Sequence, residues 1–361
     1  MSVRRCFKNQ VHKIDGRTWQ ALNPTKDASQ KVQPNQSAPS CAFDNSFFIM
    51  NTNKSTRRTL LGSGALLLAG TLFASAKPAN AAINVVTSLP ELAAITREVG
   101  GQNVSVYSIA RPNNDYHRYE ALPSDVARLS RAKLVVATGM SFEMWMSPLL
   151  NAAARSNLQP GGTGYVNASE GVRRLEIPTQ QITGASGDIH TDGNPHFFYD
   201  PVYAKFIARS VLRGLLRVDA AHGDEYRANY SRFNSQIDAH MARYKAELGP
   251  YAGEGVVTYH QNYAYFLRRF GLKQYGTVEP KPGIPPSARH VNALAQNMKR
   301  DKVRAIIVES IYPTRFPALL AQGAGTKYVV APYSVGSLGT SNYFNFMDKL
   351  VDSFKSALSR N

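Results

Sequence analysis

Three histidines lie at points of the chain where parallel-sheet proteins commonly bind ligands. His117 follows a short apolar segment in NNDYHRYEALPSD, and His260 ends another such segment in VVTYHQNYAYF. His196 lies in NPHFFYDP, directly before a long helical segment. Because ligands bind beyond the carboxyl ends of strands in open parallel sheets, these three imidazoles are predicted to converge on one cleft. Three imidazole nitrogens suit Zn²⁺, and Cu and Ni accept the same ligands.

Four further histidines follow residue 81. His222 and His240 lie in the helical segment and His290 at a helix start, so we expect all three on the solvated surface. His190 lies in GASGDIHTDGNPH, a Gly-, Asp- and Ser-rich loop that is predicted to be mobile. We expect its side chain to be loose and exposed, although it could lend a fourth ligand.

Two acidic residues lie near the same strand ends. Glu309 ends the apolar run IIVES, and we expect it to cap a helix or to pair with an arginine. The alternative is that Glu309 is itself a ligand or lies beside the ligands and supports them. Glu279 lies in VEPKPGIPPS, a proline-stiffened loop, and is interpreted as structural or hinge-related.

Short apolar runs alternate with amphipathic segments, which predicts an α/β fold with parallel sheets. In the first half, strands are predicted at INVVTS, VSVYSI and KLVVATG, with helices over 89–101 and 123–132. Ser124 is the expected N-cap of the second helix. In the second half, strands are predicted at GVVTYH, near 274–278, at RAIIVES and at KYVVAPY, with a final helix over 343–358.

A long helical pattern separates these two halves. It predicts one helix from Pro201 to about Ala221 and a second from about Asp224 to Leu248. The predicted organisation is therefore an N-terminal α/β lobe over 82–200, a linker helix with a following helix over 201–248, and a C-terminal α/β lobe over 249–361.

The first 81 residues have the composition of an exported precursor. Residues 57–76 read RRTLLGSGALLLAGTLFASA, and Ala79-Asn80-Ala81 form a small-residue cleavage site. Residues 50–81 are therefore interpreted as an export signal peptide that is cleaved after Ala81. STRRTLL resembles a twin-arginine signal, and an ordinary signal that carries two arginines fits equally well. Residues 1–49 show no periodicity and are predicted to be a non-native or disordered extension before a start at Met50.

Charge and cysteine content restrict the function further. The chain of 361 residues has a formal net charge of +17, and the 280 residues after Ala81 keep +9. The basic residues are scattered, which argues against a nucleic-acid partner. Cys6 and Cys41 both precede the cleavage site, so the mature chain has no disulfide, no thiolate ligand and no lipidated cysteine. These features are typical of a soluble periplasmic protein, and we expect a monomer.

The three histidine segments together resemble those of the metal-specific substrate-binding proteins of bacterial ABC importers for zinc and manganese. DYHRYEALPSDVARLSRAKLVVATGMSFEMW is similar to the family's first-ligand segment, GNPHFFYDP to its second and TYHQNYAYFLRRFGL to its third. The resemblance extends over essentially the whole mature chain. It implies two α/β lobes joined by one long rigid helix, a metal cleft between the lobes, and His117, His196 and His260 as ligands.

The resemblance also bears on the metal and on the fourth ligand. Manganese-type relatives tend to carry Glu at the position of His260, and a third imidazole shifts the preference from Mn²⁺ toward Zn²⁺. Many relatives carry an Asp where the segment PYSVGS places Tyr333, so the fourth ligand would be water, His190 or an acid not yet placed. The acidic and histidine-rich loop before the second ligand is short here, with Asp188, His190 and Asp192.

The function implied by the resemblance is periplasmic solute binding. The protein would capture Zn²⁺ as a transported ligand and deliver it to an ABC permease in the inner membrane, without enzymatic activity. Two alternatives stay open. One is a binder of an organic or chelated ligand on the same fold, which the 18 tyrosines permit. The other is a zinc hydrolase, because three histidines and an open position also form catalytic sites, although the chain has no HExxH motif.

Overall fold

A computed structural model describes residues 81–180, 187, 188 and 190–359. The predicted extension (1–49) and signal peptide (50–81) lie outside these residues, except for Ala81. The described part contains two four-stranded sheets with helices packed on them. This arrangement confirms the predicted α/β fold with two lobes of parallel sheet.

The first sheet has the strand order β2-β1-β3-β4, and every neighbouring pair is parallel. Its strands are β1 (Ile83–Thr87), β2 (Val104–Ser108), β3 (Leu134–Ala137) and β4 (Tyr165–Asn167). The helices between them are α1 (Pro90–Gly100), α2 (Pro123–Arg131) and α3 (Met146–Ala153). The sequence pattern does not predict β4 or α3, because three and eight residues are too few for a clear period.

The predicted N-cap of α2 is wrong. Pro123 is the first helical residue, so the helix begins before Ser124 and Leu122 becomes the N-cap residue. The backbone N–H of Leu122 donates to Asp125 Oδ2 at 2.9 Å, which ties the start of the helix to its own first turn.

Two helices follow the first sheet, as predicted. They are α4 (Pro201–Val218) and α5 (Gly223–Leu248). Pro201 and the capping residue Asp200 start α4, and the Asp200 carboxylate accepts from the Val202 N–H at 2.9 Å. The helix ends three residues earlier than the pattern predicts, because the residues after Asp219 form a separate turn of 3-10 helix.

The second sheet has the strand order β6-β5-β7-β8, again parallel throughout. Its strands are β5 (Gly255–Thr258), β6 (Lys273–Thr277), β7 (Ala305–Glu309) and β8 (Tyr328–Ala331). Its helices are α6 (Ala264–Phe270), α7 (Ala288–Arg300), α8 (Arg315–Ala324) and α9 (Tyr343–Leu358). Alternate residues of the central strands face opposite layers: Val256 and Ile307 enter the main core, whereas Val257 and Ile306 pack in a second core with residues of α7 and α8.

The helix α5 contacts both lobes. It packs against α1 and α4 on one side and against α9 on the other. With 26 residues at ~1.5 Å each, it is about 39 Å long. Its buried residues Phe233, Ile237 and Tyr244 belong to one hydrophobic core that continues from the first lobe into the second. The boundaries proposed for the lobes and the linker stay predictions.

None of the helices in the described part of the chain combines the length and the apolar character that crossing a bilayer requires.

Asp200 offers a test of how α4 is held to the second lobe. Its buried carboxylate also accepts from Arg269 Nε of α6, at 2.9 and 3.0 Å. Asp200→Ala removes the helix cap and leaves the guanidinium unpaired, so we expect the free energy of unfolding to fall by about 2–4 kcal/mol. Urea denaturation followed by circular dichroism measures this loss.

The matched control is Asp238→Ala on α5, whose carboxylate pairs with Lys205 and is 70% exposed. We expect it to cost less than about 1 kcal/mol, because surface ion pairs are screened by water. Equal losses in the two variants would contradict the assignment of Asp200 as a buried anchor.

Candidate metal centre

The three predicted histidines lie together at the junction of the two lobes. The ligand-capable nitrogens of His117, His196 and His260 all lie within 4.8 Å of one another. The two Nε2 atoms of His117 and His196 are 3.2 Å apart. Two nitrogens bound tetrahedrally to Zn²⁺ at ~2.0–2.1 Å lie about 3.3 Å apart, so this spacing suits one divalent ion.

His117 is presented by a single turn of 3-10 helix, Tyr116–Arg118, in the loop after β2. Asp115 caps this turn, since its Oδ1 accepts from the backbone N–H of His117 at 3.0 Å. Burial raises the pKa of Asp115. The cap fixes the backbone of His117, so the direction of the imidazole depends on the short turn and not on a long element.

The residue before His117 anchors that turn from several sides. The Tyr116 hydroxyl donates to both Glu91 carboxylate oxygens, at 3.1 and 3.0 Å, and the Tyr116 carbonyl accepts from Trp145 Nε1 at 2.9 Å. Its N–H donates to the Tyr333 hydroxyl at 3.2 Å. Tyr333 follows β8, so the second lobe directly supports the histidine turn of the first.

His196 is oriented by Asn194, two residues earlier. Asn194 Oδ1 accepts from both His196 Nδ1 at 2.9 Å and the His196 backbone N–H at 3.0 Å. The Asn194 amide in turn donates to the Gln261 carbonyl at 2.8 Å, next to His260. Because an amide oxygen only accepts, Nδ1 of His196 carries the proton and its Nε2 lone pair is turned toward the cluster.

His260 is oriented by a carboxylate from the neighbouring strand. Its Nδ1 lies 2.8 Å from Glu279 Oε2, which also accepts from the Gly283 N–H at 3.1 Å. Both side chains are almost fully buried. A carboxylate that holds the distal nitrogen fixes the tautomer of a ligating imidazole and increases its basicity.

Burial lowers the pKa of His117 and of His196 well below 6.5, so both of these rings are neutral. Since Nδ1 of His196 already carries its proton, the proton between the two rings belongs to His117 Nε2, which donates to His196 Nε2. An ion at this point would replace that proton. Phe142 forms an apolar wall beside both rings, with centroid distances of 4.9 and 5.0 Å.

His190 is placed differently from the expectation of a loose, exposed side chain. It is half-buried, and its ring centroid lies 5.2 Å from that of His117. Its Nδ1 lies 3.1 Å from the Ser141 carbonyl, and burial lowers its pKa. The expectation is wrong because the loop packs against the cluster and the turn that contains Ser141.

Tyr333 is the residue expected where many relatives carry an Asp. Its hydroxyl accepts from the Tyr116 N–H, and its carbonyl accepts from the Tyr199 hydroxyl at 2.6 Å. Burial raises its pKa well above 10, so the phenol stays protonated. Through its contact with Tyr116, Tyr333 supports the turn that carries His117.

Glu309 has neither of the partners expected for it. It is fully buried at the end of β7, and its Oε1 accepts from the Asn262 amide at 3.0 Å. Burial, together with nearby Glu279, raises the pKa of Glu309 to about 8. Glu279, interpreted as structural, has the specific role of holding His260.

The remaining histidines are half-buried and hydrogen-bonded, which corrects the expectation of a solvated surface. Their ring nitrogens pair with local groups: His222 with Asp219 at 2.8 Å, His240 with Asp348 at 3.1 Å and His290 with the Thr277 carbonyl at 3.0 Å. Among the described residues, none of these three joins the metal-type cluster.

The sequence-based prediction misses how three residues contribute to the site: Asn194 and Phe142 are not named in it, and Glu279 is named without its contact to His260. The contact of Glu279 follows from the strand order. Glu279 follows β6 and His260 follows β5, and these two strands are neighbours in the sheet. Asn194 is two residues before His196, the spacing of a side-chain-to-backbone turn. Nothing in the sequence around Phe142 indicates that its ring packs against the histidines.

Comparison with known proteins gives a consistent family. The family model described as "Zinc-uptake complex component A periplasmic" matches residues 85–357. The high-affinity zinc uptake system protein ZnuA of Yersinia pestis is 26% identical over 326 residues, covering 86% of this chain and 100% of that protein. The manganese ABC transporter substrate-binding lipoprotein PsaA of Streptococcus pneumoniae is 24% identical over 250 residues, covering 68% of this chain and 77% of that protein.

A solved structure supports the same fold. The crystal structure of a zinc-bound ZnuA with residues 138–173 deleted aligns with a TM-score of 0.65 and 22% identity. The alignment covers 78% of this chain and 99% of that chain, so both lobes are included.

The contact between Glu279 and His260 predicts a graded loss of metal affinity. Glu279→Ala removes the acceptor of the His260 Nδ1 proton and frees the ring, so we expect divalent-metal affinity to fall by about 10–100-fold. Glu279→Gln keeps an acceptor oxygen without the charge, and we expect it to fall between wild type and Glu279→Ala. Competition titration against a chromogenic chelator measures these affinities, and an unchanged affinity in Glu279→Ala would refute the role.

The buried carboxyl of Glu91 predicts a pH-dependent stability. Burial raises its pKa from 4.5 to about 7. Between these values the folded state holds a proton that the unfolded state has lost, so stability falls as pH rises toward 7. Glu91→Gln removes this effect while keeping an acceptor for Tyr116. As the pH rises from 5 to 8, we expect the free energy of unfolding of Glu91→Gln to increase by about 2–3 kcal/mol relative to that of wild type. Urea denaturation of both proteins at the two pH values tests this prediction. A difference in unfolding free energy that is the same at both pH values would contradict it.

Proposed function

The chain belongs to the family of the periplasmic component A of zinc-uptake complexes, and we propose that it binds Zn²⁺ through His117, His196 and His260. It would then deliver the ion to the permease of an ABC importer. The family supplies the substrate-binding component of such metal importers, so a permease partner follows from membership.

The observation that carries the proposal is the convergence of three imidazoles from both lobes. The Nδ1 protons of His196 and His260 are held by Asn194 and Glu279, which leaves their Nε2 lone pairs available. Neutral imidazole is the form that binds metal. A bound ion could use both lone pairs together, in place of the hydrogen bond between His117 and His196.

The choice of Zn²⁺ rests on the ligand type. Relatives are named for zinc, for manganese and for iron, so membership alone leaves these three metals open. Imidazole nitrogens suit Zn²⁺, whereas Mn²⁺ favours carboxylate, carbonyl and water oxygens. The described cluster has three imidazoles, and the nearby Glu279 carboxylate faces the far side of the His260 ring. Nitrogen donors therefore favour Zn²⁺.

We place the working protein in the periplasm. The relatives include a zinc uptake protein and a substrate-binding lipoprotein, both outside the cytoplasm by their function in import. The twin-arginine-like segment before Ala81 would direct export, and cleavage there would release a chain without a cysteine to anchor it.

A second candidate is the binding of a chelated metal. A cavity of about 380 Å³ adjoins the cluster and is lined in part by Arg118 and by the stacked rings of Tyr259 and Tyr312. Its volume lies within the range of small-molecule pockets. Asp115, Asp188 and Glu279 also line it, and three carboxylates favour a free cation over an anionic chelate.

We infer transport and not hydrolysis. A catalytic zinc site needs a general base placed to act on metal-bound water. The two carboxylates nearest the ligands in the hydrogen-bond network are committed: Asp115 to the His117 backbone and Glu279 to His260 and Gly283.

Isothermal titration of the mature protein (residues 82–361), freed of metal by a chelator, tests the proposal. We expect one tight site for Zn²⁺ and much weaker binding of Mn²⁺. The single variants His117→Ala, His196→Ala and His260→Ala should each bind Zn²⁺ on the order of 100-fold more weakly or worse, because each loses a metal–nitrogen bond.

The matched control is His222→Ala, whose ring pairs with Asp219 and should leave zinc affinity unchanged. Zinc binding that is indifferent to all three cluster variants would refute the proposal. Tight binding only in the presence of a chelator, with stoichiometric uptake of that chelator, would favour the second candidate.

A further inference from the structure

The cluster has an open fourth corner, and we infer that His190 fills it as a further ligand of the ion. This inference rests on the proposed function and deepens it. It makes the site an all-imidazole site whose fourth ligand comes from the loop before His196.

The protonation of His190 leaves a ligand atom free. Its Nδ1 lies 3.1 Å from the Ser141 carbonyl, and a carbonyl oxygen can only accept, so Nδ1 carries the proton. The lone pair is therefore on Nε2. This Nε2 is buried, and it has no hydrogen-bond partner among the described residues. A buried acceptor without a donor is unfavourable unless a ligand uses it.

The position of the ring fits the same centre. The ring centroids of His117 and His190 are 5.2 Å apart, close to the 5.1 Å between His117 and His260. His190 also lines a cavity of about 190 Å³ together with His196 and His260. The Phe142 ring meets the rings of His117, His190 and His196 edge-on, at 4.9–5.4 Å. The rings of His117, His190 and His196 therefore all pack against the Phe142 side chain.

The approach of His190 is incomplete. Its Nε2 is not part of the group of nitrogens that lie within 4.8 Å of one another. Its ring centroid is 6.4 Å from that of His196, against 5.7 Å between His196 and His260. Ligation would thus require the ring to move inward. The described contact of Nδ1 with the Ser141 carbonyl leaves Nε2 free for that approach.

The acceptor that holds His190 is set by an unusual turn. Gly139, Met140 and Ser141 have successive φ values of +85°, +56° and +54°. Non-glycine residues adopt this region at a cost, and such backbone is concentrated at functional sites. The Ser141 hydroxyl donates to Asp192 Oδ2 at 2.6 Å, so Ser141 contacts both His190 and Asp192.

Other candidates for the fourth position are engaged elsewhere. The Tyr333 hydroxyl accepts from the Tyr116 N–H, and Asp115 accepts from the His117 N–H. Glu309 lines neither of the two cavities beside the histidines. His190 is the described side chain that combines a buried free ligand atom with a place in the histidine cavity.

The test uses ¹⁵N-histidine-labelled mature protein, which contains both sheets and the whole described core, loaded with ¹¹³Cd²⁺ as a spin-active substitute for Zn²⁺. Long-range proton–nitrogen correlation spectra resolve each ring nitrogen. We expect one-bond ¹¹³Cd–¹⁵N coupling at Nε2 of four histidines, His190 included. In parallel, His190→Ala should bind Zn²⁺ about 10–100-fold more weakly, and His222→Ala should bind it as wild type does.

The outcomes separate this inference from the proposed function. Coupling at His117, His196 and His260 alone, with unchanged zinc affinity in His190→Ala, overturns the fourth ligand and leaves the zinc receptor intact. Coupling at none of the four histidines overturns both. Because His190 is half-buried and lies outside helices and strands, His190→Gln provides a second variant of similar size, and it should reproduce the loss seen in His190→Ala.

Discussion

The structure is organised around a buried electrostatic problem: imidazole nitrogens with lone pairs face one another in a site that water barely reaches. In such a place a charged ring is costly, and an unpartnered neutral ring is costly as well. On the outer side, each Nδ1 proton has a fixed acceptor. The Asn194 amide oxygen accepts from His196, and the Glu279 carboxylate accepts from His260. On the inner side, the Nε2 atoms of His117 and His196 share one hydrogen bond at 3.2 Å, and an ion that entered between the lobes could bind both nitrogens in its place. A preference for a cation would follow from this arrangement before any particular metal is considered.

Holding these rings at 3–5 Å requires that the two lobes behave as one body near the cluster. Tyr116 is central to this, because its backbone and hydroxyl bind groups from α1, from the loop before α3 and from the segment after β8. The continuous hydrophobic core and the helix α5 extend the same connection along the molecule. Gly283 adds a connection at the edge of the cleft: its N–H binds Glu279, and its carbonyl accepts from Arg118 at 2.9 Å, next to His117. The segments that carry His260 and His117 are thus linked through one residue, Gly283.

Much of this could be predicted from the sequence, and the failures have physical causes. Apolar runs and helical periods predicted seven of the eight strands and the helices of the segment 201–248, because buried parallel strands and long amphipathic helices have strong patterns. The strand-end argument brought the three histidines to one place, although their role as ligands stays a prediction. The partners of those histidines were missed, because Glu279 approaches through the strand order of the sheet, which local patterns do not contain. The placement of His190 was wrong for a related reason: it depends on the positive φ angles of Met140 and Ser141, which no propensity favours.

The spacing of the histidines along the chain has a further consequence. His117 and His196 are 79 residues apart, and His260 is in the other lobe, so one ion held by all three would close two long loops. No cysteine follows Cys41, so no disulfide can form within residues 42–361. Cross-linking a loop of this length removes conformational entropy from the unfolded state worth on the order of 4 kcal/mol in the chain-entropy model. A bound ion would thus act as a reversible cross-link in a part of the chain that contains no cysteine. The lifetime of the folded state would then depend on the concentration of the metal that the protein binds.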